Sequence, residues 1–242
     1  MKTVCVRKPF VVTLLACVLV GAVSIARDLP ECTARALFEP PAGRIYHGAA
    51  PNPSVVAGYA QELGDETVGP LLEGIHLSVG GTSGRQPVTE TIRQWLGSVR
   101  DTGRIPHLSL SMAADGEPID VGIAGTREYD AVLEEIAGII VAFGDPLFVR
   151  IGFEFNGAWN GYTPGVYPIA YRKIVEIFRA AGAGQAAYVW CYEPDGPDDF
   201  DAAADGEPAW YPGDDVVDWF GLDLFGAEQF DPAYAGRSGR PT

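Results

Sequence analysis

From about residue 43 onward, short apolar runs alternate with longer stretches whose apolar positions recur at helical spacing. The short runs predict strands over 44–48, 73–79, 105–112, 146–155, 186–192 and 216–225. The longer stretches predict helices over 54–63, 89–101, 127–143 and 166–181. Residues 196–215, rich in Asp, Gly and Pro, read as loop, and no short-period repeat or low-complexity tract stands out. Strand–helix alternation implies a parallel sheet with helices packed outside it. A doubly wound sheet should carry a glycine-rich phosphate turn after its first strand. The first strand here runs into Ala49-Ala50-Pro51-Asn52-Pro53 instead.

Period-two alternation favours a closed (β/α)8 TIM-type barrel, whose inward faces carry polar groups near the C-terminal strand ends. In the second strand Gly74, His76 and Ser78 share one face, with Ile75, Leu77 and Val79 opposite. In the third, His107, Ser109 and Ser111 oppose Leu108, Leu110 and Met112. In the fourth, Arg150, Gly152, Glu154 and Asn156 oppose Val149, Ile151, Phe153 and Phe155. In the sixth, Trp219, Gly221, Asp223 and Phe225 oppose Phe220, Leu222 and Leu224. Strands of a plain parallel core are apolar on both faces, so one polar or small face on four strands points to a lined site. Six strand–helix units are legible, and the pattern predicts that strands seven and eight are missing from residues 43–242.

The N-terminus bears on location. Lys2, Arg7 and Lys8 precede an apolar run from Phe10 to Ala22, with small residues at Ser24 and Ala26. This reads as a signal peptide over residues 1–26, followed by a connector over 27–42, and predicts a secreted, extracellular protein. Cys5 and Cys17 fall within the signal, leaving Cys32 and Cys191 to form a disulfide or to stand as separate thiols. A formal charge of −15 argues against nucleic acid and anionic membranes as partners.

Glu154 is the residue with the most chemistry in reach. It stands near the end of a predicted inner strand, where barrel active sites lie, with Asn156, Gly157 and Trp159 following. A glycosidase needs a carboxyl group held protonated near neutral pH, and burial between apolar walls supplies that shift. Asn156 could bond a sugar hydroxyl, and Trp159 could stack on a sugar ring. The structural alternative is a Glu154–Arg150 ion pair inside the barrel.

The stretch Arg150-Ile-Gly-Phe-Glu-Phe-Asn-Gly-Ala-Trp159, with Tyr167 to Gly182 after it, resembles the fourth strand and following helix of glycoside hydrolase family 26. Ala187-Tyr-Val-Trp-Cys-Tyr-Glu193 resembles the family's fifth strand, and the segment from Trp210 to Asp223 resembles the approach to its sixth. The family contains β-mannanases and related endo-glycanases. The resemblance implies a retaining two-carboxylate mechanism, Glu154 as acid/base, and a second Glu at the end of strand seven as nucleophile. No residue of this sequence matches that second Glu. Phe153 stands where many members have His, which bears on the choice of glycan.

Other candidates carry two readings each. Trp190, Trp210 and Tyr211 are sugar platforms or rim packing. His76 holds a sugar or a lumen serine, and Asp223 a sugar hydroxyl or a lumen Arg. Asp214 and Asp215 fit a helical cap better than a site. Glu193 is a conceivable second carboxylate, but strand parity points it opposite to Trp190. His47, His76 and His107 raise a rival, a metal-dependent barrel hydrolase, although the first strand lacks the paired His such sites use. The sequence therefore predicts a monomeric hydrolase of β-mannan or a related β-glycan, acting on polysaccharide or oligosaccharide without cofactor. The alternative is an inactive sugar-binding remnant, or a fragment lacking the nucleophile.

Overall fold

The computed structural model describes residues 36–50, 53–64 and 69–224. The predicted signal peptide, Cys32, most of the connector and Phe225 lie outside them. In chain order the elements are β1 (Gly48–Ala49), α1 (Pro53–Leu63), β2 (Leu72–Ser78), α2 (Val88–Arg100), β3 (Ile105–Ser111), β4 (Ala113–Ala114), β5 (Glu117–Pro118), α3 (Asp120–Gly125) and α4 (Asp130–Phe143). There follow β6 (Leu147–Ile151), α5 (Tyr167–Ala180), β7 (Ala186–Tyr192), β8 (Ala203–Ala204), β9 (Glu207–Pro208) and β10 (Trp219–Leu222).

Six strands form one parallel sheet in the order β1-β2-β3-β6-β7-β10. Neighbours in the sheet follow one another along the chain, without the reversal of order that marks a doubly wound fold. Such single winding is barrel topology. The six predicted strands are thus all present. The first is shifted, from 44–48 to Gly48–Ala49, and the fourth ends early, at Ile151.

Two apolar layers hold the sheet. Outside it, α2 turns Ile92, Trp95, Leu96 and Val99 inward, a spacing of three and four residues that makes one helical stripe. The stripe of α4 is Leu133, Ile136, Ala137 and Ile140, and the helix stops at Gly144, whose φ of 78° gives a left-handed cap. Helix α5, with Pro168 in its first turn, buries Tyr171, Ile174 and Phe178. These stripes cover Leu108, Leu110, Val149 and Ile151, all fully buried. Each such side chain contributes about 1.5–3 kcal/mol.

Inside the curve, Phe148, Ala187 and Val189 form a second cluster with Leu72, Ile105 and Trp219. The N-terminal segment closes this end. Phe38 meets Phe148 edge-on at 6.0 Å, and the Trp219 indole N–H donates to the Leu37 carbonyl at 2.7 Å. The inner face is therefore packed at one end, which leaves the polar groups for the other.

Two elements were not legible from periodicity. Residues 113–118 and 203–208 are the same hexapeptide, Ala-Ala-Asp-Gly-Glu-Pro, and each folds into a tight antiparallel hairpin, β4–β5 and β8–β9. Asp115 and Gly116 have φ of 50° and 87°, Asp205 and Gly206 of 54° and 83°. Two consecutive positive φ values are what a type I′ turn needs, and Asp-Gly supplies them at low strain. The first hairpin follows β3 and the second follows β7, on the two sides of β6 in the sheet.

Candidate active site

The strand that leads to Glu154 stops three residues short of it. Gly152 and Glu154 both take positive φ, 51° and 52°, so the period-two alternation ends there. For a glutamate this left-handed backbone costs about 1–3 kcal/mol and persists only where neighbours hold it. The holders are specific. Gly152 N–H donates to the Leu110 carbonyl at 2.8 Å, and the Tyr167 hydroxyl donates to the Gly152 carbonyl at 3.1 Å. The Asn160 amide donates to the Phe153 and Glu154 carbonyls at 3.1 and 2.9 Å.

This break corrects two predicted orientations. Phe153 does not face the helices. It lines the cleft, its ring 4.3 Å from the Arg150 guanidinium carbon and 5.5 Å from the His76 ring. Asn156 does not face the cleft. It is 2 % exposed, and its amide donates to the Glu193 carbonyl at 2.7 Å and the Asp198 carbonyl at 2.8 Å, while its oxygen accepts the Glu193 N–H at 3.1 Å. It is a latch between the Glu154 turn and the loop after β7, not a sugar ligand.

A cleft of about 530 Å³ runs along the inner face of the sheet, from Gly48, Leu72 and Gly74 past His76, His107 and Arg150 to Phe153, Glu154 and Asp223. Arg150 organises its floor. One guanidinium nitrogen donates to both Asp223 oxygens at 2.7 Å, Nε donates to Ser109 at 3.0 Å, and the other terminal nitrogen meets His76 Nε2 at 3.3 Å. The lumen ion pair therefore exists, but its carboxylate is Asp223, and among the described residues Glu154 has no ion pair on the floor. Burial first, then the Arg150 charge, hold His76 below its ordinary value, so its ring is neutral and accepts from the guanidinium. The same causes take His107 down to about 3. A guanidinium beside both rings repels a cation, which tells against the metal-dependent reading for these histidines.

Glu154 is half-buried, and burial pushes its carboxyl above the ordinary value. The Trp159 indole N–H, donating to Glu154 Oε2 at 2.5 Å, works against that rise. A hydrogen bond to Asp223 and the charges of Asp223 and Glu193 add to it. Trp159 is itself 59 % exposed, an indole face open to solvent beside a carboxyl group.

The remaining predicted residues lie elsewhere. Trp190 and Trp210 are not in the cleft. Trp190 points outward from β7 and stacks on Phe155 at 4.4 Å, and Trp210 packs against Phe155 and Tyr167 while donating to Asp198 at 3.1 Å. Both are almost wholly buried. Since Trp190 faces out, the opposite parity turns Glu193 inward. Glu193 is buried, near enough to act on Glu154, and Oε1 accepts the Asp195 N–H at 2.9 Å. Cys191 shares that inward face at 3.7 Å from Arg150, and burial pushes its thiol to about 12. His47 bonds Tyr59 at 3.0 Å. Asp215 pairs with Arg172 on α5 through two contacts of 2.7 Å. Sequence reasoning named Arg150 as a possible partner of Glu154, gave Asp223 an unspecified lumen Arg as one of two readings, and turned the Phe153 ring away from the cleft. A strand end flanked by Gly152 was the available sign that parity would fail.

A singly wound parallel sheet, with a partly buried carboxyl and an open indole beyond the end of its fourth strand, defines a (β/α)-barrel-type domain with a candidate acid at the strand ends. Residues 127–235 match the model of glycosyl hydrolase family 26. The β-1,3-xylanase TXYA of a Vibrio species is 27% identical over 158 residues, 64% of this chain and 30% of the relative. A β-1,3-xylanase of an Alcaligenes species is 25% identical over the same shares of each chain. The aligned region thus spans less than a third of either relative. Among solved structures, GH26A from Muricauda sp. MAR_2010_75 superposes with a TM-score of 0.56 at 18% identity, covering 81% of this chain and 74% of that one. The YdhT protein from Bacillus subtilis gives 0.53 at 17% identity, covering 82% and 70%. Both likenesses concern the fold, and both agree with a barrel-type sheet of which six strands are described here.

Proposed function

We propose that the protein is a secreted glycoside hydrolase that cleaves β-linked polysaccharide, with Glu154 as the acid/base. One observation carries this reading. Glu154 stands at the mouth of a cleft, its carboxyl raised by burial, with an exposed indole bonded to it. A raised carboxyl keeps its proton to higher pH, which is what donation to a glycosidic oxygen requires. The same group, once ionised, accepts a proton from the hydrolytic water.

A retaining mechanism needs a second carboxylate about 5–5.5 Å from the first. Asp223 does not fit that role. It is close enough to share a hydrogen bond with Glu154, and its oxygens are taken by Arg150. Glu193 is enclosed beneath the loop after β7. The nucleophile that the family resemblance places at the end of a seventh strand is not among the described residues. Sugar contacts in the cleft fall to His76, Trp159 and Asp223, and no cofactor enters the mechanism.

β-Mannan and β-1,3-xylan are the two substrates to set against each other. Phe153 favours the second. It puts an apolar ring, without a hydrogen-bond donor, beside Glu154, a wall suited to a pentose that has no hydroxymethyl group to satisfy. The similar curated proteins are β-1,3-xylanases. The test is hydrolysis of mannan, β-1,3-xylan and β-glucan by the purified chain, with Glu154→Gln alongside. Activity on one glycan that drops by about 10²–10⁴-fold in the variant supports the reading. A folded chain that binds glycan without cleaving it would instead be a sugar-binding remnant.

A further inference from the structure

Because β6 ends at Ile151, the sheet does not decide where the Glu154 carboxyl stands. The chain beyond it does. Residues 157–166 run across the rim from the foot of the first hairpin to the foot of the second. At the first foot, the Tyr162 hydroxyl accepts the Met112 N–H at 3.0 Å, and the Thr163 N–H donates to Asp120 Oδ2 at 2.7 Å. Tyr162 and Asp120 are 6 % and 1 % exposed. Gly161 lies so close to Pro118 that an added Cβ would sit 3.3 Å from its ring. At the second foot, the Gly165 N–H donates to the Ala209 carbonyl at 2.8 Å, and an added Cβ would sit 3.7 Å from Ala204. Gly161 and Gly165 reach these feet at φ of 63° and 77°, which glycine adopts freely. Near the other end of the segment, Asn160 grips the Phe153 and Glu154 carbonyls.

The contacts thus form one path, from each hairpin through residues 157–166 to the backbone of Glu154. Trp159 rides on the same segment. Met112 and Asp120 flank the first copy of the hexapeptide, and Ala209 directly follows the second.

We propose that the two identical hairpins are paired brackets that hold residues 157–166 as a rigid strap, and that Tyr162 and Asp120 are positioning residues for Glu154 and Trp159. Neither residue touches sugar. Their effect is on placement, and a shift of about 1 Å in a reacting group costs on the order of 100-fold in rate. The rate consequence rests on the function proposed above, but the placement itself does not.

The test uses the full chain with Tyr162→Phe, Asp120→Ala and Gly165→Ala, and Ile140→Val as a control in the outer layer. Two signals report the strap directly: the titration of the Glu154 carboxyl and the resonance of the Trp159 indole N–H, assigned with Glu154→Gln and Trp159→Phe. In the bracket variants the titration midpoint moves from its wild-type value and the indole signal shifts or broadens, while the control changes neither. Where the wild type hydrolyses glycan, kcat falls about tenfold or more and KM changes less than about threefold. Gly165→Ala reads the second bracket should either variant at the first fail to fold. An unmoved titration and indole signal in all folded bracket variants would overturn the proposal, whatever their thermal stability. An inactive wild type would remove the function proposed above and leave the two spectroscopic signals to decide the strap.

Discussion

At the residue scale, three carboxylates in and beside the cleft differ in what each one meets. Asp223 meets a guanidinium, Glu193 is enclosed, and Glu154 meets an indole N–H and apolar walls. Two substitutions therefore move the Glu154 proton in opposite directions. Asp223→Asn removes a charge that raises its pKa, so the alkaline limb of the pH–rate profile should shift to lower pH. Trp159→Phe removes a bond that lowers it, so the limb should shift to higher pH. Activity of a general acid is lost as pH rises through its pKa, which makes the alkaline limb the one to follow. Shifts of the same sign in both variants would show that Glu154 is not the group being read. His107 supplies a stability test. Its folded pKa is about 3 against an ordinary 6.5, so the folded state binds fewer protons in that window. Its contribution is present above about 6.5 and lost as pH falls toward 3. His107→Phe should flatten that part of the stability–pH curve, measured by denaturant titration at several pH values.

At the element scale, the short pieces matter more to the site than the long ones. Helices α2, α4 and α5 cover the outside of the sheet, and α5 reaches the site through Tyr167. The hairpins are two paired residues to a strand, yet they frame the segment that carries Trp159 and bonds the Glu154 backbone. Gly116 and Gly206 carry the turns. A Gly116→Val or Gly206→Val change forces a branched side chain into φ near 85° and should cost about 1–2 kcal/mol. Thermal denaturation reads that cost, and the corresponding loss of Trp159 indole order separates a bracket from a mere surface turn.

At the scale of the whole molecule, β10 presents Phe220 and Leu222 about half exposed on its outer face, beside Phe200. Apolar groups exposed together promote association. Phe220→Ser with Leu222→Ser should lower self-association and binding of hydrophobic dye, at about 1 kcal/mol of stability for each site, because each side chain is half-buried. A marked fall in melting temperature would mean instead that this face is covered in solution. Among the described residues no helix is long and apolar enough to cross a membrane.

The alternation of strands and helices, the side of each residue on β2 and β3, and the choice of Glu154 and Asp223 follow from the sequence, because they rest on local periodicity and on residue chemistry. Periodicity also says which residues share a face. It does not say which face is inward when both are apolar, and so Trp190 had to await the packing of β7 against Phe155 and α5. The role of Asn156 depends on partners 37 and 42 positions away along the chain, and the role of Phe153 depends on two left-handed residues that break the strand. The repeated Ala-Ala-Asp-Gly-Glu-Pro is plainly readable, and its turns follow from Asp-Gly alone. That the two copies come to flank one segment is a consequence of the sheet, which sets β3 and β7 on either side of β6.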